Sequence, residues 1–135
     1  MQQFATGMRH PLHRAVTGDL GILEFSNLPF EPKRIYWLSG VQDGQSRGHH
    51  AHRELRQFFV VIEGSVDVIL SDGRSEDLYT LRADGYGILL APGLWRELKN
   101  FSLGAVLLVV CDQPFEEGDY IRDFDEYLQW VKDHE

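Results

Sequence analysis

At 135 residues, with 43% hydrophobic and 25% charged side chains, the chain has the proportions of one soluble globular domain able to bury a core. A formal net charge of −8 argues against nucleic acid as a partner, and no apolar run approaches the roughly 20 residues needed to cross a bilayer. The charge is uneven: residues 112–135 carry nine acidic and two basic side chains, net −7, which leaves the body near neutrality and free to present arginines to a small anion.

The N-terminal stretch MQQFATGMRHPLHRAV lacks the apolar segment of a secretory signal, so a cytoplasmic address is the expectation. Short apolar runs separated by turn signals then predict a sandwich or barrel of strands. LGILEF (20–25) is the first expected strand and KRIYWLS (33–39) the second. QFFVVIE (57–63) and SVDVILS (65–71) follow, parted only by Gly64, with Val66, Val68 and Leu70 on one face. Asp72-Gly73 is the strongest hairpin signal and joins that strand to one near RSEDLYTLR. YGILLAP (86–92) and GAVLLVVCD (104–112) read as central strands, and Cys111 as a small buried hydrophobe. In the acidic tail, Ile121, Phe124, Leu128 and Val131 recur at spacings of three and four, predicting an amphipathic helix over about 120–133 with Asp119 as its N-cap. Packing onto the barrel is the plain role for it; binding a partner is the alternative.

Three of the six histidines lie within four residues, in SRGHHAHRELRQ. On a strand, His50 and His52 project from one face and His49 from the other. Two imidazoles side by side, with Arg47 and Gln57 in reach, point to a site and not to a decorated surface. His49 is assigned to structure or surface.

From Gly44, the order is glycine, five residues, His50-Ala51-His52, four residues, Gln57, six residues, Gly64. This resembles the first motif of the cupins. In metal-binding cupins the Gln57 position is a glutamate ligand, and a later motif adds a histidine after a Pro-Gly turn. Here that later region is PGLWRELKN, Pro92 to Asn100, and Arg96 stands where the histidine would be. Gln57 is a neutral amide, and a guanidinium has no lone pair to give. His50 and His52 alone fall short of the three or four ligands a metal site needs, so no metal is expected.

The strings KRIYWL, RGHHAHRELRQ, GSVDVILSDG, PGLWRE, VLLVV and DYIRDFDEYL occur in the order seen in sugar-nucleotide 3,4-ketoisomerases, which they resemble from about Leu20 to Val131. The resemblance implies an all-β, cupin-type antiparallel β-barrel (jelly roll) with a short C-terminal α-helix, forming a single domain over 1–135. It implies a dTDP-linked keto sugar as ligand, no cofactor, and a homodimer in which an N-terminal strand is exchanged; the apolar 20–25 run is compatible with that role.

Moving a ketone from C4 to C3 removes a proton from C3, passes through an enediol and returns a proton to C4. Histidine suits this near neutrality. The resemblance places His50 and His52 on the sugar, with Tyr36 as a hydroxyl relay. Arg96 and Gln57 are candidates to hold the enediolate oxygens. Arg47, and less strongly Arg34, are candidates for the diphosphate, and Trp95 or Trp37 for stacking on thymine. Many family members carry Arg-Gly or an aromatic before glycine where this chain has Thr17-Gly18. That position and Arg96 are expected near the sugar ring, where Arg96 resembles the branch making the gluco product and Thr17 neither branch. A 3,5-epimerase of the same 4-keto sugar and a non-catalytic sugar-nucleotide-binding module are the alternatives.

Overall fold

A computed structural model describes residues 4–135. Two five-stranded antiparallel sheets face each other across a shared core. The first runs β1 (Ala5–Arg9), β9 (Tyr86–Leu90), β6 (Gln57–Glu63), β11 (Val106–Cys111), β4 (Arg34–Leu38). The second runs β12 (Tyr120–Ile121), β5 (Arg47–His52), β10 (Trp95–Lys99), β7 (Ser65–Ser71), β8 (Glu76–Arg82). A separate hairpin, β2 (Leu12–Ala15) with β3 (Gly18–Gly21), stands outside both sheets.

Strand alternation sorts the side chains as expected. On β7, Val66, Val68 and Leu70 are fully buried in the core with Phe59, Leu107 and Val109 of the facing sheet. Burial of each such side chain contributes about 1.5–3 kcal/mol. β6 is buried on both faces because its outer side is also covered: Phe58 and Val60 pack with Leu28, Phe30 and Val110. The Asp72-Gly73 turn does join β7 to β8, through a loop of residues 72–75 in which the Asp72 carboxylate accepts from the N–H groups of Arg74 and Ser75.

Two expectations need correction. The 20–25 run is not a strand: only its first two residues belong to β3, residues 25–27 form a 3-10 turn, and Leu23 packs on the outer face of the first sheet. The N-terminal strand is instead β1, which pairs with β9 of the same chain. The C-terminal helix α1 is shorter than predicted, Phe124–Asp133, and its N-cap is Asp123, whose carboxylate accepts from Glu126 N–H. Tyr120–Ile121, assigned to the helix, is β12. α1 lies on the outside of the second sheet, where buried Tyr127 packs with Ala51, Trp95 and Ile121 and its hydroxyl is shared between the carbonyls of Ser71 and Gly93.

Candidate active site

Near β12, β4 and β5, a cavity of about 320 Å³ opens between the two sheets. The first sheet supplies Arg34, Tyr36 and Phe59 to its wall, and the second supplies Arg47, His50, Arg96 and Tyr120. A larger hollow of about 720 Å³ lies on the far side of the first sheet, under the β2–β3 hairpin. Its ionisable lining includes His10, with Arg14 and Asp19 exposed and 3.6 Å from each other, whereas the smaller cavity gathers Tyr36, His50 and the buried Arg96.

A bulge in β5 sets the geometry. Gly48 and His49 have φ of 87° and 58°, and the pairing with β10 shifts so that Arg96 faces His50 while Glu97 faces Gly48. The extra residue breaks strict alternation, and Arg47 joins His50 on the cavity wall. Gly48 is required twice over: its φ suits glycine, and a Cβ there would lie 3.1 Å from the Arg96 carbonyl oxygen. His49 pays about 1–2 kcal/mol for its left-handed backbone. Its half-exposed ring bonds Ser46 Oγ at 2.8 Å and takes no part in the cavity.

His50 and His52 sit edge to face with ring centroids 4.9 Å apart. His50 Nδ1 lies 3.1 Å from the Gly48 carbonyl, and His52 Nδ1 lies 2.9 Å from Asp119 Oδ2. A carbonyl can only accept, so His50 carries its proton on Nδ1; an ionised Asp119 imposes the same tautomer on His52. Both Nε2 atoms are then bare lone pairs, and both are buried without a protein partner. Burial, then the Arg96 guanidinium, push His50 down to about 4 and His52 to about 2. The Asp119 contact is thus a neutral N–H donating to a carboxylate. The site holds two uncharged bases.

Arg96 is a buried cation, 1% exposed, with no carboxylate in hydrogen-bond contact. It donates to Gln57 Oε1 and to the Leu94 carbonyl, its guanidinium lies 5.8 Å from the Phe59 ring centre, and its Nε has no partner. Gln57 Nε2 donates onward to Tyr36 Oη at 3.3 Å and Cys111 Sγ at 3.4 Å. Burial raises the Tyr36 hydroxyl above its ordinary pKa, so it is protonated at neutrality. Such an arrangement can remove a proton from carbon at an imidazole while a fixed positive charge receives the oxyanion. The Arg96 charge disfavours a proton on either ring.

The structure therefore brings together His50, His52, Tyr36, Gln57, Arg96, Arg47 and Arg34. It does not bring Trp95: strand alternation turns that ring to the opposite face from Arg96, where it is 5% exposed beneath Phe124 and Tyr127. Trp37 is on the outer face of β4 and 63% exposed. Thr17 sits at the turn of the exposed β2–β3 hairpin, away from the residues lining this chain's cavity.

Sequence reasoning missed three residues. Asp119, taken for a helix cap, orients His52 and also accepts from Glu54 N–H at 2.7 Å. Tyr120, paired with His52 across β12 and β5, packs its ring 4.3 Å from His52 and 5.0 Å from His50. Arg122 lines the cavity with its guanidinium 4.1 Å from the Tyr120 ring centre. A signal was available: Asp123 and Glu126 make a D-x-x-E capping pattern that Asp119 and Arg122 do not. Placing the cap at Asp123 releases 119–122 for other work.

The residues do not fit a divalent cation. Gln57 Oε1 is already taken by Arg96, whose charge stands beside the two imidazoles. Among the described residues no group of three or more His, Cys, Asp or Glu is placed to hold a metal.

The family model described as "FdtA: WxcM-like, C-terminal" matches residues 7–132. The chain belongs to that family, the cupin-type sugar-nucleotide 3,4-ketoisomerases. It is 35% identical over 112 residues to the TDP-4-oxo-6-deoxy-alpha-D-glucose-3,4-oxoisomerase of Aneurinibacillus thermoaerophilus, covering 83% of this chain and 81% of that one. A 3,4-ketoisomerase from Helicobacter canadensis superposes with a TM-score of 0.88 at 36% identity, over 95% of this chain and 97% of that chain. A mutant of the Thermoanaerobacterium thermosaccharolyticum 3,4-ketoisomerase, solved with TDP-4-keto-6-deoxyglucose, superposes at 0.91 with 30% identity, over 98% and 97%. The family's members with these names are isomerases, and the fold is the cupin-type barrel that the motif order implied.

Proposed function

We propose that the chain converts dTDP-4-keto-6-deoxyglucose to a dTDP-3-keto-6-deoxyhexose by histidine-mediated proton transfer, without a metal. The observation that carries this reading is the pair of bare, uncharged Nε2 atoms beside a buried guanidinium that no carboxylate neutralises. The C3 proton passes to the histidine pair, in which His50 stands on the cavity wall and His52 is backed by Asp119. The C4 carbonyl oxygen gains negative charge against Arg96 and takes the Tyr36 hydroxyl proton, giving the enediol. The imidazolium proton then returns at C4 as the C3 hydroxyl gives its own proton to Tyr36, leaving a ketone at C3 and the tyrosine restored. His50 shares in this exchange. Arg47, Arg34 and Arg122 line the cavity and meet the diphosphate. The resemblance of Arg96 to the branch making the gluco product favours that configuration at C4.

Tyr36 faces the histidines from the opposite sheet, which also suits the second reading, 3,5-epimerisation, where a proton returns to carbon from the other side. One experiment separates the readings: chelator-dialysed protein, substrate and deuterated buffer, followed by NMR of the sugar. Isomerisation moves the ketone to C3 and places deuterium at C4 to the extent that the imidazolium exchanges with solvent. Epimerisation leaves the ketone at C4 and exchanges C3 and C5. Unchanged sugar leaves only a binding module. His50→Asn and His52→Asn are each expected to abolish most turnover. His49→Asn is expected to keep it, since asparagine tolerates the backbone of that position.

The same reading includes a homodimer and a cytoplasmic setting; among the described residues no helix is long and apolar enough to cross a membrane. All four residues of β3 are exposed, Leu20 among them, and the hollow beneath the hairpin is floored by Val60, Ile62 and Leu108. A second copy covers this face, and Thr17 at the hairpin turn reaches a sugar only in that partner. Light scattering that finds a monomer at micromolar concentration would remove both statements.

A further inference from the structure

A guanidinium donates hydrogen bonds and never accepts them. That fixes the Gln57 amide: its oxygen must face Arg96 Nη1, and its nitrogen therefore faces Tyr36 Oη at 3.3 Å. Tyr36 accepts from Gln57, so its single proton is turned away from Gln57, and the side of Tyr36 that remains is the cavity. Both side chains are held in place, Gln57 at 1% exposure between β11 and β9 and Tyr36 across from Val109. Cys111 Sγ takes the other Gln57 N–H, which leaves the amide no reason to rotate.

We propose that Gln57 is a positioning residue that sets the direction of the Tyr36 hydroxyl and makes Tyr36 a donor to a substrate oxygen. The chain of cause is Arg96 to Gln57 to Tyr36 to substrate. A glutamate at 57 would keep the length and the Arg96 contact, but its carboxylate accepts from Tyr36 and draws the proton out of the cavity. The amide, and not only a polar side chain of that size, is the functional requirement. The proposal rests on the ketoisomerase reading above, in which a substrate oxygen gains negative charge beside Tyr36.

The test is a four-member cycle of wild type, Tyr36→Phe, Gln57→Glu and the double variant, with kcat and KM measured separately. Removing one donor to a developing oxyanion costs about 100- to 1000-fold in kcat. Tyr36→Phe is expected to lose that much, Gln57→Glu a similar amount, and the double variant to lie within about 3-fold of Gln57→Glu, because the donor is already withdrawn. KM is expected to stay within a few-fold, since the arginines meeting the diphosphate are unchanged. A Tyr36→Phe loss in the Gln57→Glu background as large as in wild type overturns the proposal, as does wild-type kcat in Gln57→Glu.

Turnover by wild type tests the ketoisomerase reading itself; a second measurement tests Gln57 without turnover. The tyrosine Raman doublet of Tyr36, isolated as the difference between wild type and Tyr36→Phe, reports whether the hydroxyl accepts or donates. An acceptor signature in the unliganded wild type, replaced by a donor signature in Gln57→Glu, supports the proposal. A signature of donation without acceptance in wild type, where no variant has to fold except Tyr36→Phe, overturns it.

Discussion

Asp119→Asn tests the histidine tautomer directly. Asp119 uses both oxygens: Oδ1 accepts from Glu54 N–H at 2.7 Å and Oδ2 from His52 Nδ1–H at 2.9 Å. Asparagine has the same shape and one oxygen. The backbone N–H of Glu54 cannot change sides, so the amide oxygen goes to it and the amide nitrogen turns to His52. The ring must then accept at Nδ1 and carry its proton on Nε2, the atom that was bare. A tautomer trap of this kind costs about 10⁴-fold in kcat in a serine-protease triad, about 5.5 kcal/mol of barrier. Asp119→Ala imposes no tautomer; losing an outer partner of a functional imidazole typically costs about 10- to 100-fold. The expected order is therefore wild type, then alanine, then asparagine, although asparagine is the closer mimic. The assay is the initial rate of C3 ketone formation by NMR, with dTDP affinity as a check on the fold. Long-range ¹⁵N correlations of the His52 ring give the tautomer independently. Asparagine equal to or better than alanine, or an Nδ1 proton in Asp119→Asn, refutes the reasoning.

Stability is expected to fall with acid through a defined window. Unfolded histidine titrates near about 6.5, whereas His50 is depressed to about 4 and His52 to about 2. Below about pH 6.5 the unfolded chain binds protons that the folded chain does not, so stability declines as pH falls toward about 4, and further for His52. Urea denaturation at pH 7.5 and pH 5 checks this; equal stability, or an equal loss in the His50→Asn/His52→Asn double variant, contradicts it. Arg47→Ala is expected to weaken dTDP binding by about 10-fold, the low end for a charge-assisted hydrogen bond because Arg47 is exposed. Calorimetry showing unchanged affinity in a folded variant assigns Arg47 to the loop alone.

The sequence by itself determined what depends on neighbours along the chain. Strands β6 and β7 begin and end where their apolar runs do, β7 because one face is buried with a period of two and β6 because both of its faces are covered. The same period put His50 and His52 on one face. The N-terminal strands were not legible, since β2 and β3 bury almost nothing and leave no pattern. Only the tertiary structure decided what depends on residues far apart. Asp119 reaches His52 across 67 positions, because β12 pairs with β5 and carries the preceding carboxylate to the ring. Trp95 and Arg96 are neighbours in sequence, yet one lies under the helix and the other in the cavity. A single strand has two faces, and which of them meets a substrate is settled by what the rest of the chain packs against each.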